Sequence, residues 1–252
     1  MSGDPERMTF WEHLDELRGC IIRISLVVVV VAIVVFCLKD MLFAVALAPC
    51  KGDFLTYRVS GVEGIEIRLV NTRITEQFMV HVKTALYVGV MVSSPYLLYE
   101  LFRFVSPALY ASERRYSSRV VGAALLMFAV GTVVNYFVVF PLTLRFLGTY
   151  QVSPEVGNML TIGSYMDTML SMNLWIGVMF ELPVVSWLLA LLGMIKAEWM
   201  ARYRRQAVVV MLIAAAIITP TTDAVTLFVV ALPMWLLYET SIVVVRITCR
   251  KQ

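Results

Sequence analysis

The stretch VVGAALLMFAVGTVVNYFVVFPLTL, residues 120–144, contains no charged side chain. A bilayer hydrocarbon core about 30 Å thick needs roughly 20 such residues at 1.5 Å of helix rise each, so this segment alone is a membrane span. Lipid offers no water to the backbone, and a spanning segment must satisfy its own hydrogen bonds as a helix. The rest of the chain has the same character: of its 252 residues, 60% are hydrophobic and 15% charged. A soluble domain carries roughly 25% charged residues, and this chain lacks the charged skin that a soluble core of its length would need.

On the N-terminal side of this stretch, Ser106-Pro107 opens a basic loop that lasts to Arg119, and 72–100 forms another span, with His81 and Lys83 in its outer half and Pro95 near its inner end. Before it, Pro49, Gly52, Gly61 and Gly64 interrupt short apolar pieces, an external cap with room for a short interfacial helix. The first span is 21–38, with Arg23 able to snorkel from its inner end. Its Val and Ile would suggest a strand in water but read as helix in lipid.

On the C-terminal side the span 120–140 ends at Pro141, an external loop holds Gly148, Pro154 and Gly157, and 165–192 follows with Glu181 and Pro183 inside it. The last apolar tract carries Thr-Pro-Thr-Thr-Asp at 219–223, which ends one helix and turns the chain. It divides into 207–222 and 224–245, short spans that thin the bilayer or sit low at their external end. The expectation is one all-α transmembrane domain over residues 1–252, with six transmembrane helices and both termini cytoplasmic. The acidic, amphipathic prefix without a convincing small-residue cleavage site argues against a cleavable signal peptide.

Charge fits that orientation. The inner side receives Arg7, Arg18 and Arg23, the loop cluster Arg103, Arg114, Arg115 and Arg119, the second cluster Lys196, Arg202, Arg204 and Arg205, and the terminal Arg246, Arg250 and Lys251. The outer side receives fewer: Lys39, Lys51, Arg58, Arg68, Arg73 and Arg145. This is the positive-inside bias, and with a net charge of only +3 it explains the basic clusters without nucleic acid.

Cysteines 20, 37, 50 and 249 have neither metal-site spacing nor the look of a disulfide framework; the first three read as small apolar fillers and Cys249 as facing a reducing compartment. No phosphate loop, dinucleotide fingerprint or zinc-protease motif is present, so the sequence implies neither an enzyme, a cofactor nor a metal.

What remains are polar residues in costly or strategic places. Phe10, Leu14 and Leu17 recur at helical spacing beside Glu12, Asp15 and Glu16, which reads as an amphipathic helix at the inner membrane surface. Taken alone, it is equally an interfacial anchor in which Glu16 pairs with a nearby base. Glu181 is a mid-span carboxylate, which must face protein, enter a hydrated concavity or be protonated. Pro183 frees a carbonyl one turn earlier, so the pair predicts a bent fourth span with a polar pocket. Asp223 is placed to cap the last helix, with Thr219 and Thr226 around the turn.

His13-Leu14-x-Glu16-Leu17-Arg18, Ser106-Pro107-Ala108-Leu109-Tyr110-x-x-Glu113-Arg114, Tyr136-Phe137-x-x-Phe140-Pro141, Phe180-Glu181-x-Pro183 and the order Thr219-Pro220, Asp223, Pro233, Glu239 together resemble the TatC family, the multispanning component of the twin-arginine protein translocase. The resemblance runs collinearly over almost the whole chain. It implies a receptor and scaffold, in the bacterial inner membrane, for folded cargo whose signal peptides carry paired arginines. It also implies single-span TatA- and TatB-type partners, self-association in a larger complex and a proton-motive force as the energy source. Glu16 and Glu113 match the family carboxylates associated with twin-arginine recognition; two arginines recognised together favour two fixed acids, because a guanidinium pairs directionally with a carboxylate. Glu113 has a structural alternative, tethering its own loop through Arg114 or Arg115. Arg18 orients Glu16 or meets phospholipid phosphate. The hairpin of Thr219, Pro220, Asp223 and Thr226 matches the side associated with docking partner helices.

The chain departs from the family pattern at Gly19-Cys20, where a further base is common, and at Glu100, where an uncharged polar residue is usual. Glu100 either enlarges the acidic patch or pairs with Arg103 three residues on, and the spacing favours pairing. The competing class is a proton-coupled solute transporter using Glu181, Lys83 and His81 as a polar path. Against it, the chain has neither paired hydrophobic repeats nor a second deep acid. An intramembrane protease is weaker again, since neither histidine has a motif-supported nucleophile.

Overall fold

The computed structural model describes residues 10–60, 67–105, 117–151, 153, 159–191, 193–219 and 223–249. Among these residues the chain is helical, with one isolated parallel bridge between Val70 and Thr161. The helices are α1 (Phe10–Cys37), α2 (Lys39–Ala46), α3 (Leu55–Ser60), α4 (Glu76–Val105), α5 (Ser117–Val134), α6 (Phe140–Thr149), α7 (Ile162–Met179), α8 (Leu182–Leu191), α9 (Ala197–Arg202), α10 (Arg204–Ile218) and α11 (Ala224–Cys249). Among the described residues four stretches are long and apolar enough to cross a bilayer: Leu14–Cys37, Val120–Thr149, Ile162–Leu191 and Ala224–Cys249. Helix α4 has the length, 30 residues, but its apolar run is diluted by His81, Lys83, Ser93 and Ser94. Helix α10 is apolar but has only 15 residues, about 22 Å of rise. The protein is an all-α, multipass membrane protein, and large exposed apolar side chains such as Leu26, Ile33, Ile217 and Phe228 form the surface it turns to lipid.

Two expectations are corrected. The amphipathic prefix is not a separate surface helix: α1 runs unbroken from Phe10 to Cys37, because neither a proline nor a capping turn divides the prefix from the span. Nor does the third span stop at Pro141. After α5 the helix widens into a π turn over Asn135–Val139 and continues as α6 to Thr149. The proline lacks the N–H that would reach the carbonyl four residues back. That carbonyl, Phe137 O, instead accepts the Thr56 hydroxyl from α3, so the helix passes through the proline without an orphaned acceptor.

Packing is densest where small residues meet. Helix α1 lies along α4 in the most extensive helix pair, and a Cβ on Gly89 would sit 2.9 Å from Ala32 Cα, so this crossing needs glycine. Helix α11 packs mainly on α8. The largest core cluster joins Phe140, Tyr165, Met166, Met172, Val230 and Met234 from α6, α7 and α11.

The end of the bundle that carries α2 and α3 is stitched by side chains that donate to main-chain carbonyls. His81 Nε2 lies 3.1 Å from Phe36 O, its ring stacked on Phe36 at 3.9 Å. Tyr136 donates to Val45 O at 2.7 Å and Tyr165 to Ala46 O at 2.8 Å. Tyr57 reaches Pro49 O and Pro141 O, each at 3.4 Å. Burial pushes the Tyr57 hydroxyl and the Cys50 thiol above their ordinary pKa values, which keeps both protonated. Glu76 clasps the starts of two helices: it accepts from the N–H groups of Thr72 and Arg73 and, at 3.2 Å, from Gly163 N–H of α7. A Cβ at Gly163 would collide with its Oε1.

Candidate functional site

Toward its N-terminal end, α1 presents Glu16, Cys20 and Arg23 along one face, at spacings of four and three. Cys20 is buried in the packing of this half of the molecule. Arg23 reaches across to α4, where Nε and Nη2 donate to Glu100 Oε2 at 3.2 and 2.8 Å. The other oxygen of Glu100 accepts the Tyr96 hydroxyl at 3.1 Å and lies 3.8 Å from Arg103 Nη1. The expected Arg103 pairing is thus the minor contact, because the guanidinium of Arg23 reaches across to the same carboxylate instead of snorkelling to the interface. With Glu100 3% exposed and both its oxygens occupied, it is not a free addition to an acidic patch.

Glu16 differs. It is partly buried, and its Oε2 is shielded from solvent with no hydrogen-bond partner among the described residues. A carboxylate oxygen held that way carries its full desolvation cost until a donor arrives. Arg18, two residues after Glu16, is exposed on a different face of α1. Glu113 lies outside the described residues.

The fourth span breaks where the sequence places the break. Helix α7 ends at Met179, Phe180 and Glu181 form a turn, and α8 begins at Leu182 with Pro183 buried in its first turn. The break is locked against α5 by two reciprocal fits. A Cβ on Gly131 would lie 2.7 Å from Phe180 Cγ, and one on Gly177 would lie 2.9 Å from Phe128 Cε2, so each helix offers a glycine notch to the other's phenylalanine. Glu181, next to the seated Phe180, holds Oε1 buried without a partner among the described residues.

Lys83, His81 and Glu181 are not arranged as a path. Lys83 of α4 donates to both oxygens of Asp167 on α7 at 3.0 Å, whereas His81 turns to Phe36 of α1. The transporter reading needs these groups in one line, but Lys83 and His81 are tied to different helices and Glu181 Oε1 has no partner among the described residues. In the hairpin, Asp223 Oδ1 accepts from Thr226 N–H at 2.7 Å, the cap that starts α11. Thr219 donates back to Ala215 O at 2.9 Å. The Thr226 hydroxyl is fully buried with no partner among the described residues, and Pro220 lies outside them. The described residues contain no group of three or more His, Cys, Asp or Glu able to hold a metal.

Several participants are invisible to pattern reading. Arg23 and Glu100 are 77 residues apart, and only the α1–α4 pairing joins them. Asp167 is the one with a usable signal, an acid inside a span opposite the lysine of another. Gly131 and Gly177 look like ordinary span glycines until their phenylalanines are seen.

A bundle of long apolar helices, with a break beside Pro183 and carboxylates buried among them, defines a multipass membrane protein. The family model for the Sec-independent protein translocase protein TatC matches residues 12–233. TatC of Koribacter versatilis (strain Ellin345) is 36% identical over 93% of this chain and 84% of its own length, and that of Desulforapulum autotrophicum is 33% identical over 100% and 89%. A crystal structure of the twin arginine translocase receptor TatC superposes with a TM-score of 0.79 at 30% identity, covering 94% of this chain and 99% of that one. The chain belongs to the TatC family, and it is a non-catalytic, multipass component of the twin-arginine translocase of the bacterial inner membrane.

Proposed function

We propose that Glu16 and Glu113 form one cytoplasmic acidic surface that receives the paired arginines of the cargo signal. The chain is the receptor and scaffold of the twin-arginine translocase, recognising such signals for export of folded proteins driven by the proton-motive force. The observation that carries the site assignment is the contrast at the inner end: Glu100 is already compensated by Arg23 and Arg103, while Glu16 keeps a buried oxygen without a donor among the described residues. Glu113 enters through its motif, on the loop that follows α4.

In this reading α1, α4, the α5–α6 run, the α7–α8 run, α10 and α11 are six spans of a single transmembrane domain, with both termini cytoplasmic. The hairpin of Thr219, Pro220, Asp223 and Thr226 docks TatA- and TatB-type partner helices, a reading that rests on the collinear family motif. Glu181 provides the polar intramembrane site.

Cysteines placed at Ile74 and Met159, both highly exposed, should react with an impermeant thiol reagent added to intact cells, and cysteines at Met194 and Arg204 only after permeabilisation. The reverse pattern would overturn the orientation and with it the shared cytoplasmic surface.

A further inference from the structure

We infer that the inner end of α8, α9 and α11 holds a binding pocket for the headgroup of an anionic phospholipid. A cavity of about 710 Å³ opens there between the α8–α9 turn and the last turn of α11. It exists because the side chains that could fill it are small: Ala190, Ala197 and Ala201 line it. Its floor is firm. Gly193, with φ of 69°, ends α8 in a left-handed residue, and the N–H groups of Gly193 and Met194 return to Ala190 O and Leu189 O at 3.0 and 2.9 Å. These are the two bonds of a Schellman stop. Val245, Ala190 and Ala197 form a small buried cluster beneath the cavity.

Lys196 and Arg246 line this cavity. Elsewhere ion pairs engage Arg23, Lys83, Arg103 and Arg204, but Lys196 and Arg246 have no ion pair among the described residues. Glu198 also lines the cavity, and it too makes no ion pair among the described residues. The cations therefore outnumber the acid among the lining residues. The same segments carry exposed apolar side chains next in sequence to the lining: Met194, Trp199, Val243 and Ile247 are all more than half exposed. A cationic hollow on segments that carry exposed apolar side chains, at the inner end of membrane helices, fits a phosphate-bearing headgroup whose acyl chains lie along α11. Basic pockets of this kind on the cytoplasmic side select anionic lipids.

This inference rests on the inner placement proposed above, but its test does not. Cys249 is exposed and lines the same cavity, so it reports occupancy. The full-length protein is reconstituted in vesicles of pure phosphatidylcholine or with phosphatidylglycerol added, and treated with an uncharged, membrane-permeant thiol reagent, the modified residue being identified by peptide mass spectrometry. Permeant reagent makes the readout independent of orientation. Phosphatidylglycerol should slow Cys249 labelling about tenfold, the order expected when two cations hold one headgroup. The Lys196→Gln/Arg246→Gln variant should lose that protection, and inorganic phosphate in phosphatidylcholine vesicles should not reproduce it. Glu198→Gln should keep or increase protection. Equal labelling in both lipids, protection that survives in the double variant, protection by inorganic phosphate alone, or loss of protection in Glu198→Gln, which would mark a zwitterionic headgroup, would each overturn the assignment.

Discussion

Glu100 and Glu181 are both carboxylates on membrane helices, and their surroundings treat them in opposite ways. Around Glu100, two arginines and a tyrosine from α1 and α4 occupy both oxygens, so the acid is a rivet between the two most extensively packed helices. Around Glu181 the packing is equally firm, with Phe180 and Phe128 seated on glycines, yet one oxygen has no donor among the described residues. Firm packing around an unsatisfied acid is costly to keep. The difference teaches that the first acid serves the fold, while the second keeps one buried oxygen without a partner among the described residues.

The largest effect should follow from breaking the rivet. Glu100→Ala should lower thermal stability in detergent by about 1.5–3 kcal/mol, the range for hydrogen bonds to a charged group, moderated because Arg23 is 44% exposed and can find solvent or headgroups. The signal-binding affinity of the folded fraction should stay close to wild type. A Glu100→Ala protein that melts like wild type but fails to bind signal peptide would reverse the roles assigned to this acid.

Next in size is the packing under Glu181. Gly131→Ala forces Phe180 out of its notch, and an overpacked core costs about 1–3 kcal/mol. We expect a value near the low end, because only one methyl is added. Melting by intrinsic fluorescence checks it, and no loss of stability would mean the α5–α7 crossing yields easily. The smallest effect on stability should come from Glu181 itself. Glu181→Leu should melt at or above the wild-type temperature, since it removes a buried oxygen that has no partner among the described residues, while export of a twin-arginine reporter falls. Glu181→Gln should retain more export than Leu, because an amide preserves polar contact. Equal export by wild type and both variants at matched abundance would remove any functional reason for the acid.

Much of this architecture is readable in one dimension because lipid leaves the backbone few choices. The charge-free run at 120–144, the break at Glu181 and Pro183 and the stop at Thr219 each follow from local chemistry. Helix α1 was harder to read, since an amphipathic prefix and an apolar span differ in composition but not in backbone geometry. The passage through Pro141 was hidden for another reason: it depends on Thr56 of a different element taking the carbonyl the proline leaves behind. The pairing of Glu100 with Arg103 is legible from local spacing, whereas the closer pair with Arg23 comes only with the tertiary crossing. Glu16 could be singled out by motif, but its unpartnered oxygen could not.

The central claim, a shared acidic surface of Glu16 and Glu113, is tested most directly by a double-mutant cycle on signal-peptide binding. Equilibrium binding to the purified, intact complex is measured for wild type, Glu16→Gln, Glu113→Gln and the double variant, with paired-arginine and paired-lysine signals. Each contact is partly hydrated and modest, about 0.2–1 kcal/mol in water, rising where Glu16 Oε2 is shielded. Each single change should weaken binding of the arginine signal, the two losses should be non-additive, and the double variant should nearly lose its preference for arginine over lysine. Unchanged affinity and unchanged arginine preference in the double variant would contradict the account and leave both acids as structural tethers.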